Sequence, residues 1–229
     1  MTPSRYAHKL KQIAFSRKRS VMTMSISFMK LRALILTCSA LQAQTPPLDP
    51  QLKYIVESKK SSVQFFVHST LSDVDGVFSN WKAEFKVPTP RIEDATLILH
   101  VVSSSVSTGS GSKDRLIKGE NFFWIQRYPS IDFVSTKITA DPSDPLKFTM
   151  DGNFTMRGVT KPVTVRLTLD PQGNHHGTVD GDMSFDRREF GMTYKMPFNR
   201  ISDSVRVSFK LDVQGTPAKG TGTATRTAK

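Results

Sequence analysis

Phe148, Met150, Phe154 and Met156 fall on one side of an alternating run, with Thr149, Asp151, Asn153, Thr155 and Arg157 on the other. After an interruption at 158–162, Val163, Val165, Leu167 and Leu169 repeat the alternation against Thr164, Arg166 and Thr168. A period of two puts successive side chains on opposite faces of a strand, so 147–170 predicts a hairpin with one apolar and one polar face. Gly158 supplies backbone freedom for its turn, and Pro162, lacking an N–H, is placed at the start of the second strand.

The same pattern recurs on both sides of this hairpin. A short strand is expected at 53–58 and another at 63–69, where Val63, Phe65 and Val67 oppose Gln64, Phe66 and His68. After a turn at 73–76, Trp81, Ala83, Phe85 and Val87 alternate with lysines and a glutamate, and 88–91 break the run. Ala95, Leu97, Leu99 and Val101 follow, then a Ser/Gly loop at 103–112. Residues 112–125 depart from period two; Ser112 as N-cap and Gly119 as stop predict a short helix, followed by an apolar plug at Phe122, Phe123 and Trp124. Pro129 opens a strand carrying Ile131 and Phe133, and 141–145 form a turn. After a connection at 172–177 come Val179, Gly181, Met183 and Phe185, then Val205, Val207, Phe209, Leu211 and Val213. About eight strands with one helical interruption predict an all-β fold, a closed antiparallel barrel or a sandwich. Closure removes the edges that otherwise pair with other chains.

Charge is unevenly spread. Eight basic residues precede the first acidic one, Asp49, so leaving out residues 1–43 lowers the formal charge from +12 to +4, which is 24 Lys+Arg less 20 Asp+Glu. A cationic nucleic-acid-binding surface is thereby disfavoured for the remainder. Lys30 and Arg32, the apolar 33–41 and Ala43 have the layout of a secretory signal, cleaved after Ala43 or Ala40. The long basic stretch ahead of it predicts a translation start at Met29, Met22 or Met24. The apolar run is too short to span a bilayer. Cys38, the sole cysteine, lies inside this signal, and Thr37 before it disfavours a lipoprotein anchor. The expected organisation is a signal at 1–43, a proline-rich linker at 44–52, a barrel at 53–214 and a tail at 215–229 without ordered structure, with the protein periplasmic or secreted.

Several stretches occur in a telling order: 63–68 with Gly76-Val77-Phe78, 105–108 leading to Asp114-Arg115-Leu116, and Phe122-Phe123 with Tyr128-Pro129. Ile131 to Thr136, GNFTMRGVTKPV at 152–163 and Arg188-Glu189-Phe190-Gly191 complete the set. Together they resemble the YceI-like family of bacterial periplasmic lipid-binding proteins. The resemblance covers about 53–214 and implies a lipocalin-like antiparallel barrel with a helix near its mouth. It also implies a tubular interior that binds long amphiphiles, above all polyisoprenoids. Arg115 stands where the family has histidine, so no imidazole role carries over.

By alternation Phe65, Val67, Phe78, Trp81, Phe85, Leu97, Leu99, Val101, Phe133, Phe154, Met156, Val165, Leu167, Met183, Phe185, Val207 and Phe209 point inward, joined by Leu116 and Phe122 from the helical segment. Read from the residues alone these make a filled core; the resemblance favours a cavity for a long-chain amphiphilic lipid. Burying about ten methylene equivalents at ~0.8 kcal/mol each gives roughly 8 kcal/mol gross, near micromolar affinity before ordering costs. Asp114, Arg115, Arg157 and Arg188 are the candidate head-group residues, with Lys113, Lys118 and Arg187 nearby. His68, His100, His175 and His176 lack zinc-site spacing, and Asp180, Asp182 and Asp186 lack a calcium-loop pattern. No nucleophile elbow, phosphate loop or triad spacing is present, so no catalytic residue, metal or cofactor is assigned. A monomeric or homodimeric carrier is expected; a lipid-ester hydrolase and a solid-core interaction module are the alternatives.

Overall fold

The computed structural model describes residues 47–217. Eleven strands and one helix follow in order: β1 (Leu52–Val56), β2 (Ser62–Ser69), β3 (Val74–Phe78), β4 (Trp81–Lys86), β5 (Thr96–Val102), β6 (Val106–Ser107), α1 (Gly111–Lys118), β7 (Ser130–Asp141), β8 (Asp144–Met156), β9 (Val159–Gly173), β10 (His176–Asp186) and β11 (Ile201–Pro217). All pairings are antiparallel. β4, β5, β7, β8, β9, β10 and β11 are consecutive neighbours, and β1 pairs with both β4 and β11, which closes the sheet.

The first six strands are three strands, each interrupted once. β11 pairs β2 along Ile201–Lys210 and β1 along Val213–Pro217. The gap between β1 and β2 holds a 3-10 turn and is bridged by Asp212, whose N–H donates to Ser61 Oγ (2.8 Å) and whose carbonyl accepts from Glu57 N–H (2.9 Å). β3 and β4 continue that pairing beside β2 and β1, and β6 and β5 beside β3 and β4. The result is a closed eight-stranded antiparallel barrel with one helix.

The expected hairpin is β8–β9, in register from Lys147↔Thr168 to Met156↔Val159. Phe148, Met150, Phe154 and Met156 are buried along one face, as are Val165 and Leu167. The turn is two residues long, not five: Arg157 (φ 52°) and Gly158 (φ 73°) both take left-handed backbone, which matches the twist of a two-residue hairpin. Pro162 therefore lies inside β9. β10 pairs β9 only along Arg166–Gly173, so one edge at Pro162 carries no ladder, and a residue without an N–H fits there.

Other boundaries move slightly. The helix begins at Gly111, with Ser110 and not Ser112 at its N-cap, and ends at Gly119. The expected serine loop contains β6. Residues 215–217, expected in the tail, close the barrel as the end of β11 against Leu52–Tyr54. The signal, Cys38 and residues 218–229 lie outside the described residues. Among the described residues no helix is long and apolar enough to cross a membrane.

Candidate functional site

Inward side chains of most strands surround a cavity of about 270 Å³. Its wall combines Val63, Phe65 and Val67 of β2 with Phe133 of β7, Phe154 and Met156 of β8, Met183 and Phe185 of β10, and Val205, Val207 and Phe209 of β11. Three glycines shape this wall. A Cβ on Gly181 would stand 2.1 Å from the Phe209 ring, one on Gly76 2.1 Å from Phe65, and one on Gly152 2.4 Å from Phe133. Each ring occupies the space a neighbouring strand leaves by having no side chain, so three large aromatics lie along the wall without filling the bore.

Two aromatic clusters flank the cavity. Phe65, Phe78 and Phe123 sit with ring centroids 5.8–6.0 Å apart. Phe154, Phe185 and Phe190 sit 5.2–5.4 Å apart. All six of these contacts are edge-on or tilted, none a face-to-face sandwich, in keeping with aromatic quadrupoles. The mouth is framed by Leu116 and Lys113 of α1, Ser69 at the end of β2 and Ser72 after it, and Met196 and Asn199 in the loop before β11. Hydrogen bonds join the last two segments: Leu71 N–H donates to Asn199 Oδ1 (3.2 Å) and Thr70 N–H to the Arg200 carbonyl (3.0 Å).

Of the nineteen apolar candidates, sixteen line this cavity: Phe65, Val67, Phe78, Leu97, Leu99, Val101, Leu116, Phe122, Phe133, Phe154, Met156, Val165, Met183, Phe185, Val207 and Phe209. Trp81 and Leu167 are buried but do not line it. Phe85 lines a second cavity of about 300 Å³, with Tyr54, Ile92, Leu169, Val179 and Val213.

The head-group candidates are placed elsewhere; none of the four lines the cavity. Asp114 accepts from Thr108 N–H (2.7 Å) and Thr108 Oγ1 (2.6 Å), which fastens α1 to the segment after β6 and lowers its pKa. Arg115 is exposed on the outer side of α1. Arg157 donates to the carbonyls of Glu120 (2.8 Å) and Phe122 and packs 5.9 Å from the Trp124 and Tyr128 rings; desolvation there lowers its pKa. Arg188 pairs with Asp186 (2.6 Å) and Asp203 (3.3 Å), and its side-chain hydrogen bonds hold Asp186 down at about 2. The cations that do line the cavity are Lys113 and Arg187. Arg187 is buried and its donors are engaged by Ser202 O (3.0 Å), Met192 O, Tyr194 O (3.3 Å) and Asp203 (3.0 Å), so it clamps the loop before β11. Lys113 Nζ reaches Ser72 Oγ and the Asp73 carbonyl, both at 3.0 Å, and pairs with no carboxylate among the described residues.

Ser69, Ser72 and Asn199 of the mouth, and Ile201 lining the cavity at the start of β11, were not anticipated. They sit at turns and strand ends, where no period marks which side chain faces inward. Three of the histidines are held by aspartates: His68–Asp73 and His100–Asp132 at 2.6 Å, His176–Asp212 at 3.0 Å. Asp180 and Asp182 face Lys210 and Arg166 across the strands, which offsets their mutual repulsion. Among the described residues no three His, Cys, Asp or Glu side chains gather as a metal site.

The YceI-like domain family matches residues 54–213. The chain belongs to that family. A UPF0312 protein of Shewanella denitrificans is 26% identical over 167 residues, covering 69% of this chain and 85% of the relative. A UPF0312 protein of Pseudomonas fluorescens is 31% identical over 145 residues, covering 59% and 73%. Among solved structures, Burkholderia cenocepacia BcnA superposes with a TM-score of 0.62 at 24% identity, over 69% of this chain and 98% of that one. A polyisoprenoid binding domain from Saccharophagus degradans implicated in plant cell wall breakdown gives 0.56 at 12% identity, over 72% and 99%. These two share the barrel fold with this YceI-like chain.

Proposed function

We propose that this protein is an exported, periplasmic or secreted carrier that sequesters a long-chain amphiphile. The cargo is a polyisoprenoid, an isoprenoid quinone precursor or a fatty acyl lipid. The reading is carried by the polarity of the cavity: its wall is aliphatic and aromatic apart from Asp132, Arg187 and the mouth residues Ser69, Ser72, Lys113 and Asn199. An apolar tail leaves water by entering the bore, and a polar head stays at the rim. Lys113, the lining cation without a carboxylate partner, is the group that orients an anionic head, in place of the four residues expected from sequence. The polyisoprenoid-binding neighbour of the same fold supports this cargo class. Hydrolysis of lipid-like esters is the less favoured reading: Asp132, the one carboxylate among the lining residues, is taken up by His100 (2.6 Å) and Ser130 Oγ (2.8 Å).

Native mass spectrometry of the purified protein, with extraction and identification of any lipid, tests the proposal. A co-purifying amphiphile, or stoichiometric uptake of added prenyl lipid, is the expected result. A protein that stays empty and ignores prenyl and acyl lipids alike overturns it.

A further inference from the structure

The barrel interior is not one tube. Along β9, Val165 lines the mouth-side cavity and Leu169 the far one, while Leu167, between them on the same inward face, lines neither. Phe148, opposite Leu167 in the β8–β9 ladder, and Met150, opposite Val165, are also sealed from both. Ile138 of β7 stands opposite Met150 and closes the same level. Across the bore the change is equally abrupt: Leu211 belongs to the first cavity and Val213, two residues on, to the second. No residue lines both. Met150, Phe148, Ile138 and Leu167 lie between the two, with 0–4% of their surface exposed and no place in the lining of either.

We propose that Ile138, Phe148, Met150 and Leu167 form a floor that sets the length of apolar tail this barrel accepts. The inference rests on the carrier reading above. Its scale follows from the strands. From Val63 to Ser69 the cavity wall of β2 advances six residues, about 20 Å at ~3.3 Å per residue. A strand tilt of about 40° reduces this to roughly 15 Å along the bore. An extended carbon chain, with bonds near 1.5 Å and angles near 111°, advances about 1.25 Å per bond. The mouth-side cavity therefore takes about 12 chain carbons, or about three isoprene units. Up to that length each added methylene leaves water and tightens binding about fourfold. Beyond it the tip meets close-packed side chains, and further carbons stay outside or fold back. Removing part of the floor joins the first cavity to the second and moves the limit outward.

The test is a titration of delipidated protein with saturated fatty acids of 8 to 20 carbons, below their micelle concentrations, repeated on Leu167→Ala and Met150→Ala. In the wild type, affinity is expected to rise about fourfold per methylene to about 12 carbons and then level off, with the break displaced to longer chains in both variants. Affinity that climbs steadily to 20 carbons in the wild type overturns the floor while leaving the carrier reading intact. So does a break that stays in place in a folded variant. Failure of every chain length to bind overturns both. Should neither variant fold, the wild-type series decides alone by the presence or absence of the break.

Discussion

Replacing Gly181 by alanine tests why the cavity is hollow. The new Cβ would stand 2.1 Å from Cζ of Phe209, whereas unbonded carbons rest about 3.5–4.0 Å apart. The ring has to give way by about 1.5 Å, and with the sheet behind it the free direction is into the bore. Stability and binding should then respond very differently. The atom that clashes is the far end of a side chain, so the overpacking cost belongs near the lower end of ~1–3 kcal/mol. Lower unfolded-state entropy returns about 0.4–1 kcal/mol of it. The net change in stability is therefore between about 0 and 2 kcal/mol. A ring turned into a cavity of about 270 Å³ excludes roughly two to four methylene equivalents of tail, worth ~1.6–3 kcal/mol, or about 15- to 150-fold in affinity. Urea denaturation and titration with a prenyl alcohol read the two quantities on one sample. A folded Gly181→Ala protein that binds as tightly as wild type refutes the claim that the glycine holds the ring against the wall.

Gly152→Ala should be the harsher change: its Cβ meets the Val134 carbonyl oxygen at 2.7 Å as well as the Phe133 ring, and backbone cannot swing aside, so urea denaturation should show a larger stability loss than for Gly181→Ala. Arg187→Met should cost about 3 kcal/mol, toward the low end for a broken buried pair because Asp203 is 42% exposed and regains water; a loss under about 1 kcal/mol would show that the clamp is dispensable. Phe154→Asp and Val165→Asp, each placing a carboxylate in the wall, should abolish uptake or folding, read by ligand titration and circular dichroism; two variants that fold and bind normally would contradict the inward face. Asp186, held at about 2 against an ordinary 3.8 chiefly by Arg188, has a depressed folded pKa, so its contribution is complete above about pH 4 and is lost as pH falls from there toward 2. The stability of Asp186→Asn, followed by denaturation midpoints, should accordingly fall less than that of the wild type across that window.

The barrel was legible because its strands alternate: one face of each meets water and the other does not, and β8, β9 and β11 display this over long runs. The break between β1 and β2 was legible, since 53–58 and 63–69 read as separate strands, whereas β3 was missed: 73–76 reads as a turn, yet Val74–Phe78 is a strand paired with β2 and β6. Alternation also says which face is inward without saying how far a side chain reaches. Val165, Leu167 and Leu169 read identically in sequence, yet they line one cavity, the floor and the other cavity. The polar mouth was least legible. Arg157 sits in a hairpin turn with positive φ, and the direction of its side chain is decided by two carbonyls contributed from 120 and 122. Arg188 is absorbed by Asp186, two residues away, through a local bond that charge counting does not foresee.

A barrel that keeps its bore open gives up the dispersion contacts a filled core would make, so its rigidity has to come from around the cavity. Here it does so at three levels. Below, the floor is packed to near-zero exposure. Along the wall, glycine beside phenylalanine on the neighbouring strand lets bulky rings contribute buried area in the space a side chain would take. At the mouth, Arg187 ties Met192, Tyr194, Ser202 and Asp203 together, while Asp114 ties the helix to Thr108. Each device stabilises the barrel without placing an atom where the tail would lie. This arrangement explains why the residues most sensitive to substitution should be the glycines and the two tethering side chains, and not only the apolar residues that meet the cargo.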